Sequence, residues 1–71
     1  MKIKKSTLRD LASRHSEKAI LSIARGAHNQ NTETISQEEE RTIKETFKEV
    51  LGVTDLSKVN VGDLLGVLQP E

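Results

Sequence analysis

The chain of 71 residues has no cysteine, no tryptophan and no tyrosine, and Phe47 is its single aromatic residue. Without thiols it can form no disulfide and no thiolate zinc site. Without aromatics among its basic residues it lacks the stacking platforms on which single-strand nucleic-acid binders rely. No window approaches the roughly eighteen apolar residues of a membrane span. The basic start MKIKK is not followed by the apolar run of a signal peptide. A cytoplasmic location without membrane contact is the expectation. Catalytic signatures are missing as well: there is no Gly-x-Ser-x-Gly elbow and no glycine-rich phosphate loop. So short a chain also has little room for a substrate pocket of about 300–1,000 Å³. The expectation is therefore a non-enzyme without cofactor or metal.

What remains is aliphatic and charged. At this length a single core seldom supplies more than about 3–5 kcal/mol of net stability. Of the usual supports for a small fold, the composition leaves self-association open. The formal net charge is zero, yet the charges are sorted along the chain. Residues 1–28 hold Lys2, Lys4, Lys5, Arg9, Arg14, Lys18 and Arg25 against Asp10 and Glu17, a balance of +5. Residues 29–71 carry the compensating −5. Such halves can attract each other within one chain or between two, or the basic half can serve an acidic partner.

Three segments have helical periodicity. From Leu8 the apolar residues Leu8, Leu11, Ala12, Ala19, Ile20, Ile23, Ala24 and Ala27 share one broad face. Thr7 with Asp10 marks a start, and Gly26 a stop. Ser36 with Glu39 forms a capping box, followed by the stripe Ile43, Phe47, Val50, Leu51 and a second stop at Gly52. Val53 is placed to fold back onto that cap. Asn60 and Asp63 open a last helix bearing Val61, Leu64, Leu65 and Leu68. Gly62 and Gly66 weaken it by about 1 kcal/mol each relative to alanine, and Pro70 closes it. The connection TDLSKVN is a turn with room for a short helical piece. The spacing thus predicts an all-α single domain, residues 1–71, of three helices at about 7–25, 37–51 and 61–68. It would stand alone or as an oligomeric bundle, with residues 1–5 flexible.

The stretch TLRDLA, Thr7 to Ala12, resembles the opening of the helix-turn-helix in the LacI family of repressors, where the pattern is Thr-Leu-x-Asp-Val-Ala. The resemblance covers six residues. It implies a DNA-reading helix pair with a turn glycine at position 16 and apolar residues at 17, 22 and 25. Ser16, Glu17, Ser22 and Arg25 all depart from that pattern. A second helix would then lack the means to pack on the first, so an uninterrupted helix is the better reading of these residues.

Three constellations carry candidate chemistry. Arg14, Lys18 and Arg25 lie within about 40° of one another on a straight helix, and Lys2, Lys4 and Lys5 extend the row. Phosphates attract such a row, which supplies affinity without base readout; as a solvated face it is equally ordinary, with Asp10–Arg14 a helix-spaced ion pair. His15 falls near the centre of the apolar face. With His28 as the only other histidine, no metal set forms around it, and a hydrogen-bonded place at the core edge or a subunit contact is expected. If held there neutral, it would make the fold acid-sensitive. The segment from Ile43 to Leu68 has the rhythm of a calcium-binding helix-loop-helix, but Asp55 is followed by Ser57, Val59, Val61 and Leu65 where ligands and the turn should be.

The apolar residues of the last helix extend around more than one side. A monomer this small is expected to leave part of them uncovered. The functional expectation is a non-enzymatic protein–protein interaction or regulatory module. It would self-associate or dock on a larger protein through Val61, Leu64, Leu65, Val67 and Leu68. The competing expectation is a nucleic-acid-binding regulator that uses Lys4, Lys5, Arg14, Lys18 and Arg25.

Overall fold

The architecture is taken from a computed structural model, which describes residues 4–27 and 33–69. Four α-helices occur among them: α1 (Lys4–Arg14), α2 (Glu17–Ala24), α3 (Gln37–Leu51) and α4 (Val61–Leu68), with a 3-10 turn at Leu56–Lys58 before α4. No strand forms among the described residues. The last two helices have the bounds that their apolar stripes predict.

The single helix expected at 7–25 is two helices. Its start lies earlier, because Lys4, Lys5 and Ser6 contain no breaker and lysine is a good helix former. Lys4 and Lys5 are thus helical, not part of a flexible leader, while residues 1–3 fall outside the described residues. The break is at His15 and Ser16. Ser16 adopts extended backbone (φ −71°, ψ 154°), and its Oγ accepts from the Ala19 N–H at 3.1 Å, a serine N-cap for α2. Glu33, nine positions beyond the end of α2 in the sequence, completes the junction. Its carboxylate accepts from the Ser16 N–H at 3.1 Å and from the Ser16 hydroxyl at 2.6 Å. The Ser16 N–H that a continuous helix would bond four residues back is therefore satisfied by a side chain.

The remaining ends follow local chemistry. Gly26 takes φ +79°, and the Ala27 and Gly26 N–H groups donate to Ser22 O and Ile23 O, closing α2 with a Schellman pair. Gly52 also turns left-handed at φ +70°, but here the Gly52 and Val53 N–H groups share one acceptor, Lys48 O. Val53 is half-buried against the core, as its place after the cap requires. At the other end of α3 the capping box is complete: Ser36 Oγ accepts from the Glu39 N–H, and Glu39 accepts from the Ser36 N–H. Asn60 caps α4 by accepting from the Asp63 N–H at 2.8 Å. Pro70, the expected terminator, lies outside the described residues.

Breaking the first helix changes how the core is covered. A straight rod of 19 residues would be about 28 Å long and would lie along one side of its neighbours. As two short helices, α1 and α2 each pack against α3 and against α4. Leu8, Ile20, Ile43, Phe47 and Leu64 are fully enclosed, and Leu11, Ile23, Ala24, Leu56, Val67 and Leu68 are buried around them. Two long-range ties fix the elements in register. Arg9 Nη2 donates to Gln69 O at 2.8 Å, joining α1 to the end of α4, and Arg25 Nη1 donates to Val59 O at 2.6 Å, joining the end of α2 to the approach to α4. The Cα radius of gyration of 10.9 Å is about what one closed body of this length requires.

Candidate interaction surface

The expected apolar surplus is largely consumed by the core. Of the five α4 residues proposed as a docking face, Leu64 is 0% exposed and Val67 and Leu68 are 5% exposed each. They cannot meet a partner without unfolding α4, and this corrects the sequence expectation. The physical reason is the break at Ser16, which lets α1 and α2 each pack on α4 beside α3, three covering helices where two were expected. Val61 is 45% exposed, the exposed large apolar side chain among the described residues, and Leu65 is half-buried one turn further on. These two share one side of α4 with Gly62 and Gly66, both exposed. A Cβ added at Gly66 would meet nothing within 4 Å, whereas one at Gly62 would come to 3.2 Å from Asn60 Oδ1. The outer side of α4 is thus a low strip of backbone edged by two aliphatic side chains.

The basic residues are not aligned along one rod, because that rod does not exist. Arg14 ends α1, and its Nη2 lies 3.3 Å from Asp10 and its Nη1 3.9 Å from Glu39, so acid flanks it on two sides. Lys18 is exposed on α2. Arg25 is half-buried, with one nitrogen committed to the Val59 carbonyl. Lys5 is half-buried in α1, beside Lys4 in the sequence. Among the side chains described, the exposed ones of α1 are Ser6, Thr7, Asp10, Ser13 and Arg14, which carry no excess of positive charge.

His15 sits in the break, with its side chain 17% exposed and Nε2 3.5 Å from Glu39 Oε1. It is at the core edge, as expected, with its Nε2 turned toward a carboxylate. The Glu33 carboxyl is held below its ordinary value of 4.5, chiefly by the hydroxyl of Ser16, then by the Ser16 N–H and the charge of His15. Asp55 is likewise held below 3.8 by the hydroxyl and N–H of Ser57, then by Lys58 and Lys48. The sequence reading missed Ser16 as a cap and Glu33 as its clamp. A serine directly before an acidic residue is the available signal for the first; the second is a contact across 17 positions with no local signature.

No group of three or more His, Cys, Asp or Glu suited to a metal ion occurs among the described residues. No helix searched is long and apolar enough to cross a membrane. His28 lies outside the described residues. No protein-family model matches the chain, and no curated protein or solved structure matches it either. The likeness of Thr7–Ala12 to a repressor helix therefore remains local.

Proposed function

We propose that the chain is a non-enzymatic interaction module that associates weakly with a second copy of itself through the outer side of α4. The observation that carries this reading is Val61, an aliphatic side chain left 45% exposed while Leu64, Val67 and Leu68 of the same helix are buried. Leu65 continues the edge, and the bare Gly66 lets another backbone approach closely. A formal net charge of zero imposes no overall repulsion between copies. Their sorted charges would set orientation more than affinity.

The contact is small. Eight residues of helix span about 12 Å, so the strip falls well below the about 800 Å² per partner of a stable complex. The association is accordingly transient, with folded monomers at low concentration. Light scattering coupled to size-exclusion chromatography, run from about 10 μM to about 1 mM, should give a mass that rises with concentration. Val61→Asp should hold it at the monomer value. A mass that is concentration-independent in the parent chain would end the proposal.

Nucleic-acid binding is the second reading, and the same run tests it. A chain without tryptophan or tyrosine absorbs little at 280 nm, so strong ultraviolet absorbance at its elution volume reports bound nucleic acid directly. The flanking of Arg14 by Asp10 and Glu39 supports the expectation of none at 150 mM salt.

A further inference from the structure

A second feature, independent of α4, lies where the end of α2 meets α3 and the connection 54–57. The surface folds there into an open cleft of about 180 Å³, floored by Ala24 and Leu56. Three cationic side chains line it: Arg25 from the end of α2, and Lys44 and Lys48 from α3. They come from elements far apart in sequence, and the tie from Arg25 to Val59 O at 2.6 Å fixes one of them in place. One nitrogen of a guanidinium with five N–H donors is used there, which leaves others for the cleft.

Lys44 and Lys48 stand one helical turn apart, an arrangement that like charges disfavour by a few tenths of a kcal/mol. Lys44 is answered by Glu40 at 3.1 Å, whereas Lys48 makes no ion pair among the described residues. Asp55 is the one carboxylate in the lining, and its Oδ1 is already engaged by the Ser57 N–H at 3.1 Å and hydroxyl at 2.6 Å. Against the cleft counts its closeness to the C-terminal end of α2, where the helix dipole is negative; Arg25 sits at that end and offsets it. Arg25, Lys44 and Lys48 stand against the ionised Asp55 in the lining and Glu40 beside Lys44, which leaves the cleft with an excess of one positive charge.

We propose that this cleft binds a phosphate group. Its volume admits such a group with room to spare, and its openness lets the remainder of a larger ligand extend into solvent. Thr54 lines the same cleft and brings a hydroxyl able to donate to a phosphate oxygen. The group can belong to a small phosphomonoester or to a nucleic-acid backbone; the recognising chemistry is shared.

The test is amide NMR of the full chain titrated at constant ionic strength with inorganic phosphate, with chloride as the control, then with adenosine monophosphate and a short single-stranded oligonucleotide. Phosphate should shift the amides of 25–26, 44–48 and 54–57, with an affinity on the order of millimolar. It should bind more tightly at pH 8 than at pH 5.5, as the dianion replaces the monoanion. Lys48→Glu alters an exposed side chain without an ion pair in the fold, so it should leave the spectrum folded and weaken phosphate by at least about tenfold, as loss of a charge-assisted contact does. Arg14→Ala should leave phosphate binding unchanged. A tighter monophosphate identifies the small-molecule source; a tighter, length-dependent oligonucleotide identifies the backbone source. Equal shifts with chloride, shifts elsewhere, or undiminished binding by folded Lys48→Glu would each overturn the assignment.

Discussion

Gly66 is a point at which the sequence declines stability that lies within one methyl group. It occupies the interior of α4, and its missing Cβ would meet nothing within 4 Å. Glycine in such a position costs about 0.8–1.0 kcal/mol relative to alanine, mainly through the freedom of the unfolded chain. Gly66→Ala should therefore raise the stability of the monomer by about that amount. For a domain of this size the gain corresponds to a midpoint shift of about 4–8 °C. Gly52→Ala is the matched control. Its φ of +70° is left-handed, so alanine there should destabilise by about 1 kcal/mol although its Cβ also has open space. Thermal and urea unfolding followed by circular dichroism at about 10 μM measures both. The same Gly66→Ala chain should associate less at about 1 mM, because the methyl group raises the strip on which two helices approach. A destabilised Gly66→Ala monomer would refute the placement of this glycine on an open helix face. A stabilised variant with unchanged self-association would remove Gly66 from the proposed contact.

Other substitutions probe the remaining joints. Ser16→Ala deletes the cap of α2 and should cost about 1 kcal/mol, read from urea midpoints; a neutral result would mean that α1 and α2 are one helix after all. Glu33→Gln tests the clamp by pH. The carboxyl of Glu33 is held below 4.5 in the fold by Ser16, so its contribution is full above that value and disappears as pH falls through the lower folded value. The variant should be less stable than the parent at pH 7 and equal to it near pH 2, whereas a difference independent of pH would contradict the charge argument. Phe47→Ala removes the only aromatic from a fully enclosed site. It should cost about 3–5 kcal/mol, a large share of the total stability of so small a domain, and leave the chain largely unfolded by circular dichroism at 37 °C.

The helices that could be read from the sequence are those whose ends are written locally. Ser36 with Glu39, Gly52 and Asn60 each determine an end through residues within four positions, and α3 and α4 accordingly begin and stop where expected. The α1–α2 break was hidden because its decisive partner, Glu33, lies nine positions beyond the end of α2 in the sequence. The apolar pattern is also continuous across it, since Ala12 and Ala19 fit one face of a straight helix as well as two faces of a bent pair. A straight first helix puts Arg14, Lys18 and Arg25 in one row and gives α4 less cover, with Leu64, Val67 and Leu68 at the surface; the break removes both consequences. The cleft beside Arg25 could not have been anticipated, because it depends on the 34-residue tie to Val59. Position 16, where the repressor-like pattern wants a turn, is where the chain does turn, but by a serine cap and a distant carboxylate in place of glycine.

The central claim is that one copy encloses its own core and meets its twin only at the rim of the last helix. A dilution series of amide NMR spectra from about 1 mM to about 10 μM tests it most directly. The account predicts a dispersed, folded spectrum throughout, with concentration-dependent shifts gathered at Val61, Gly62, Leu65 and Gly66. Collapse to an unfolded spectrum on dilution would show that the core needs a partner. Positions that stay fixed across the series would show that α4 touches nothing.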